Sequence, residues 1–228
     1  MFAAVEPLHI DPAGLREQFL AQDELVFVAG AIPAGTLAVL RAEAERLEPE
    51  ATRMYVPFIR SGGTVGGRRL RRRAPEMARL YQRLREVVST LSGRALYEKA
   101  SDDDHAVALY SYRAGDFMAA HLDRCGSAPF GSYSVTVGLV DDSTSQLECE
   151  LASGRRIEIK TSPGSVTIYN GSRIAHAVSR LGAGQRRVVL SGSYRTQPRP
   201  HAVPHLVQRV VEGFLYFGWA GRERRHLR

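Results

Sequence analysis

The stretch AVALYSYRAGDFMAAHLD, residues 106–123, decides how this chain reads. It opens on a short run rich in β-forming residues that ends at Gly115 and Asp116. Runs of the same kind follow: YSVTVGLV (133–140), RRIEIK (155–160), SVTIYN (165–170) and RRVVLSGSY (186–194), separated by Gly, Ser, Asp and Pro. Short strands at near-regular spacing predict a β-sandwich or barrel.

N-terminal to this region the pattern is helical. DPAGLREQFLAQ begins with Asp11 as a helix cap, and IPAGTLAVLRAEAERL places Leu37, Leu40, Ala44 and Leu47 at helical spacing. APEMARLYQRLREVVSTLSG has Met77, Leu80, Leu84, Val87 and Val88 on one face and Gly93 as its stop. Between them RSGGTVGGRRLRRR (60–73) breaks the periodicity, which predicts a surface loop, either a solvated basic loop or a lid. At the far end VPHLVQRVVEGFLYFGW reads as a last helix before the basic tail RERRHLR. The expectation is one α+β domain over 1–228: mainly helical support in 1–100, a β core carrying the site in 101–200, and a C-terminal helix with its tail in 201–228.

Composition narrows the class only modestly. With 44% hydrophobic and 24% charged residues the chain has ordinary globular proportions. Its net charge of +7 comes from 31 basic residues of which only Lys99 and Lys160 are lysine. Such an arginine bias follows codon usage more readily than binding, so a small-molecule partner is preferred to nucleic acid. Cys125 and Cys149 form no CxxC pair, the first residues lack a signal-peptide pattern, and no apolar run reaches membrane-spanning length. A cytoplasmic protein without a membrane partner is expected.

The chemistry sits at His121-Leu122-Asp123. In extended backbone, residues i and i+2 point to the same side, so an imidazole and a carboxylate can converge on one ion. Fifty-five positions later His176 follows a strand and a Gly-containing turn. Two histidines and one carboxylate on one face of a metal leave other positions open, the donor set of non-haem Fe(II) oxygenases.

The ordered set Tyr112-x-x-Gly115, His121-x-Asp123, His176 and Gly184-Gln185-Arg186-Arg187, spanning roughly 106–196, resembles the Fe(II)/2-oxoglutarate dioxygenases, in particular their prolyl-hydroxylase-like members. That resemblance implies a double-stranded β-helix, a jelly-roll core with helices packed on one sheet, and Fe(II), 2-oxoglutarate and O2 as reactants, with ascorbate as a stimulant. It also implies an arginine after the second histidine that holds the distal carboxylate of 2-oxoglutarate, a match of guanidinium fork to carboxylate. Arg186 and Arg187 both qualify. The common Gly-x-Arg form selects Arg186, whereas strand alternation groups Arg187 with Val189, Ser191 and Ser193, the more polar face, and favours Arg187. Tyr112 matches a tyrosine that bonds the cosubstrate in such proteins; the second tyrosine many of them carry is replaced here by Met118.

The segment DDDHAVALYSYRAGDFMAAHLD, the strand LSGSYRT and the ending YFGW also resemble free amino-acid halogenases and hydroxylases of the same superfamily. In the halogenases Gly replaces the metal carboxylate. Asp123 is present, so the resemblance implies hydroxylation of a small molecule or amino acid. By the same resemblance Asp104, Arg60, Ser191 and Ser193 are candidate substrate contacts. Two other readings stay open: a zinc hydrolase using the same ligands, for which no HExxH-type base is seen, and a non-catalytic jelly-roll binding module.

Overall fold

The structure is a computed structural model and describes residues 6–99, 104, 106–123 and 131–198. The predicted helix at 203–219 and the YFGW ending lie outside the described residues. In chain order the elements are α1 (Pro12–Ala21), β1 (Leu25–Val28), α2 (Ala34–Leu47), a 3-10 turn (Glu48–Glu50), β2 (Thr52–Val56), β3 (Arg60–Val65), α3 (Gly67–Arg73), α4 (Pro75–Ser92) and β4 (Tyr97–Glu98). They continue as β5 (Val107–Arg113), β6 (Phe117–His121), β7 (Ser132–Asp142), β8 (Leu147–Glu150), β9 (Arg156–Ile159), β10 (Val166–Asn170), β11 (Ala175–Val178) and β12 (Arg186–Arg195).

The strands pair antiparallel in the order β1-β10-β7-β12-β5-β3-β6-β11-β8-β9, with β2 on β3 and β4 on β12. This ladder curls into a nearly closed barrel, the double-stranded β-helix that the strand spacing and the resemblance together lead one to expect. One broad wall, β1 to β3, carries the helices; the narrower one is β6-β11-β8-β9. Strand β3 joins them, pairing with β5 through Gly63–Val65 positions and with β6 through Arg60 and Ser61.

The helices form as their sequence predicts. Asp11 caps α1 by accepting from the Ala13 and Gly14 amides, and Gly93 ends α4 in the left-handed conformation, φ +68°. On α4, Met77, Leu80, Tyr81, Leu84, Val88 and Leu91 are buried, while Val87 is only partly so. The Glu43 carboxylate of α2 accepts from the Glu76 and Met77 amides, satisfying donors that the first turn of α4 leaves free. Tyr81 then fastens α4 to β12: its hydroxyl donates to the Ser193 carbonyl, its ring stacks on Tyr194 at 4.7 Å, and the absent side chain of Gly192 makes room for it.

One expectation needs correction and another is refined. The first hundred residues are mainly helical, with α1 to α4, and also supply β1 to β4 to the sheet. RSGGTVGGRRLRRR is neither a solvated loop nor a lid; it is β3, the β-strand between β5 and β6, followed by α3. Its glycines mark close packing: a Cβ on Gly63 would lie 3.1 Å from the Ala51 methyl, and one on Gly62 3.3 Å from the Tyr112 ring. Strand β8, with Glu148 and Glu150 outward and Leu147 and Cys149 inward, was also missing from the predicted set.

Candidate metal centre and cosubstrate pocket

His121 ends β6 and His176 lies in β11, where the two are paired in register. Asp123 follows two residues on, its amide donating to the Gly171 carbonyl at 2.8 Å. The three side chains offer ligand atoms that all lie within 4.8 Å of one another. Nε2 of His121 is 3.6 Å from one Asp123 oxygen and Nε2 of His176 is 3.6 Å from the other. Nδ1 of His121 stands 3.0 Å from the Ala119 carbonyl, and Nδ1 of His176 3.3 Å from that of Ile174. A carbonyl can only accept, so Nδ1 carries the proton and Nε2 keeps its lone pair for a metal.

The electrostatics suit a cation. Burial raises the Asp123 carboxyl, but favourable electrostatic interaction with His176 and His121 and the Ser134 hydroxyl at 2.5 Å outweigh it and leave the group below its ordinary value. Burial pushes His176 down to about 4, with Asp123 pulling the other way. A neutral imidazole beside an ionised carboxylate is the protonation state that ligation requires.

Strand alternation sorts the remaining candidates. On β12, Val188, Leu190 and Tyr194 pack into the core beneath the helices, whereas Val189 clusters with Tyr112, Met118, Val178 and Leu181 in the interior. Arg187 lies on the interior side, 1% exposed, its guanidinium carbon 5.9 Å from the Tyr112 ring centre. Its Nε and one terminal nitrogen have no hydrogen-bond partner among the described residues. Arg186 points the opposite way and forms a two-pronged ion pair with Glu48, which also receives the Ser111 hydroxyl at 2.6 Å.

Of the candidate substrate contacts, Arg60 is buried on β3, donating to the Thr64 hydroxyl at 3.0 Å with its guanidinium 5.9 Å from the Tyr110 ring centre. Ser191 and Ser193 share the Arg187 side of β12, and the Ser191 hydroxyl donates to the Val135 carbonyl. Asp104 is engaged elsewhere, its carboxylate accepting the Arg68 amide in the first turn of α3. Sequence reading missed Tyr169, whose ring centre is 4.8 Å from that of His176. Alternation on SVTIYN could have found it, because Thr167 and Tyr169 oppose the core residues Val166 and Ile168. It also missed Ser134, the hydroxyl on Asp123.

No protein-family model matches the chain, and a sequence search of curated proteins finds no match. The solved structures are more informative: the fold is that of 2-oxoglutarate-dependent non-haem iron enzymes. A Pseudomonas putida prolyl-4-hydroxylase is 20% identical, with a TM-score of 0.63 over 82% of this chain and 99% of its own. The epimerase SnoN from nogalamycin biosynthesis, in complex with Fe3+, alpha ketoglutarate and nogalamycin RO, is 21% identical with a TM-score of 0.64 over 81% and 84%. A Trichoplax adhaerens prolyl hydroxylase in complex with a hypoxia-inducible-factor peptide reaches 0.66 at 12% identity over 86% and 91%. Among the described residues no helix is long and apolar enough to cross a membrane.

Proposed function

We propose that this chain is an Fe(II)- and 2-oxoglutarate-dependent oxygenase that hydroxylates an unactivated C–H bond of a small molecule or amino acid. The observation that carries the reading is the pairing of two features inside one barrel: a His-Asp-His ligand set and a buried arginine with unused donors. An unpartnered guanidinium is costly to bury, and an anion supplies what it lacks.

His121, Asp123 and His176 would hold Fe(II), which with 2-oxoglutarate and O2 supplies the oxidising chemistry. Arg187 receives the distal carboxylate of 2-oxoglutarate in this reading, and the Tyr112 ring walls the same pocket. Three protein ligands leave open positions for cosubstrate and oxygen. The remaining task of the protein is placement, because the bond nearest the oxidant reacts. Arg60, Ser191 and Ser193 are assigned to substrate; Asp104, already bound to α3, is the weakest of the four assignments. The solved relatives include an epimerase as well as hydroxylases, so the outcome of oxidation depends on the substrate's pose. Retention of Asp123 as a third protein ligand favours hydroxylation over halogenation. A cytoplasmic location accords with Cys125 and Cys149 showing no CxxC spacing in the sequence.

The test is anaerobic addition of Fe(II) and 2-oxoglutarate, followed by visible spectroscopy for the weak charge-transfer band of the chelate and an assay of succinate in air. Absence of both would sink the oxygenase reading, and a zinc-dependent hydrolytic activity in their place would replace it.

A further inference from the structure

Behind the ligands lies a second, buried carboxylate that the reaction does not use. Glu24 sits between α1 and β1, 9% exposed, and both it and Asp23 adopt left-handed backbone, φ +66° and +55°. Side chains other than glycine rarely occupy that region, and two in succession persist only where their surroundings hold them. Here the holding groups are plain. The Glu24 carboxylate accepts from the Tyr133 hydroxyl at 2.6 Å and from the Asn170 side-chain amide at 2.5 Å, with Arg173 at 3.6 Å. The Glu24 carbonyl accepts the Asn170 backbone amide at 2.9 Å.

The groups bound to the Glu24 carboxylate and carbonyl belong to, or border, the turn 170–174 that links β10 to β11, while its amide donates to the Phe19 carbonyl of α1. That turn is stiffened from within, since the Asn170 side chain accepts from the amide and hydroxyl of Ser172, and its carbonyl accepts from Ile174. Two carbonyls of the same turn reach the metal ligands: Gly171 holds the Asp123 amide, and Ile174 faces Nδ1 of His176. A chain of direct contacts therefore runs from Glu24 through Asn170 to two of the three ligands.

We propose that Glu24 is a positioning residue for the metal centre, fixing the 170–174 turn whose Gly171 and Ile174 carbonyls orient Asp123 and His176. This rests on the metal-site reading above, and it predicts a loss of metal affinity from a residue that touches no ligand. Outer-shell changes of this kind cost about 10–100-fold in affinity.

The test measures Mn(II) affinity by electron paramagnetic resonance and the visible bands of the Co(II) form, which report ligand geometry, in the wild type and in Glu24→Ala, Glu24→Gln and Asn170→Ala. Glu43→Ala, which uncaps α4 far from this turn, controls for general destabilisation. Glu24→Ala and Asn170→Ala are expected to lose about 10–100-fold in Mn(II) affinity and to alter the Co(II) spectrum. Glu24→Gln, which keeps an acceptor for Asn170, restores most of both, and Glu43→Ala changes neither. Should Glu24→Ala fail to fold, Asn170→Ala decides. Wild-type affinity and spectrum in the folded variants, or an equal loss in Glu43→Ala, overturn the proposal. A wild type that binds neither metal overturns the site itself, a result distinct from the failure of Glu24 alone.

Discussion

His121 and His176 are direct partners across the β6–β11 ladder, their ring centres 4.2 Å apart although 55 residues separate them in the chain. The pairing makes the site a product of barrel closure: each strand contributes one imidazole, and the register sets their separation.

Removing either imidazole should therefore leave the ladder intact and the site open. His121→Ala and His176→Ala are expected to lose more metal affinity than the roughly 10–100-fold of an outer-shell change, with little change in far-UV circular dichroism. Isothermal titration with Mn(II) checks this. Retained affinity in both variants would place the metal elsewhere.

The adjacent arginines should separate cleanly, because they face opposite sides of β12. Arg187→Ala is expected to weaken 2-oxoglutarate binding by about 2–5 kcal/mol, the usual effect of truncating one partner of a buried charge pair. Arg186→Ala should leave that affinity alone and lower stability, because buried Glu48 loses its main ion pair and keeps only Ser111 and Arg113. Titration of the charge-transfer band against 2-oxoglutarate, paired with urea unfolding, distinguishes them. A reversed pattern would return the assignment to the Gly-x-Arg form.

The contrast between these arginines also shows what could be read before folding. Alternation on RRVVLSGSY separates Arg187 from Arg186 because both faces of β12 are occupied, one by helices and the other by the polar interior. RSGGTV defeats the same rule: half of its positions are Ser or Gly, so no apolar face exists to count, and pairing with β2, β5 and β6 makes it a strand. Arg60 was consequently legible as a loop charge near the site but not as a buried strand residue. The candidate metal-binding triad, His121, Asp123 and His176, was legible through order and spacing, and the fold brings its three side chains together. Tyr169, Ser134 and Glu24 were not, since what matters in each is a neighbour distant in sequence: His176, Asp123 and Asn170.

Glu48 supplies a pH dependence whose sign is fixed. Burial raises its carboxyl, but hydrogen bonds from Arg186 and Ser111 and the charges of Arg186 and Arg113 bring it below its ordinary value of 4.5. A carboxyl depressed in the folded state contributes stability that is complete above its unfolded value and is lost as pH falls through the folded one. Glu48→Gln should cost about 1.5–3 kcal/mol at neutral pH, the scale of hydrogen bonds to a charged group. The difference from wild type should shrink as pH falls below 4.5. Urea midpoints of both proteins from pH 7 downward measure it, and a difference constant with pH would refute this role for the ion pair.

Gly171 is where a single methyl should discriminate between fold and site. A Cβ there would lie 2.9 Å from that of Asp123 and crowd the Ser134 hydroxyl, the two groups that fix the carboxylate's direction. These neighbours are side chains rather than ladder backbone, so the barrel can yield locally. Overpacking of this kind typically costs about 1–3 kcal/mol. The Asp123 oxygens must turn away, however, and their 3.6 Å spacing to both imidazoles is lost. Gly171→Ala is thus expected to remain folded, with a lowered melting temperature, while Mn(II) affinity falls by a larger factor than in any variant of equal stability outside the site. Affinity that merely tracks melting temperature across such a set would mean that Gly171 serves the turn and not the carboxylate.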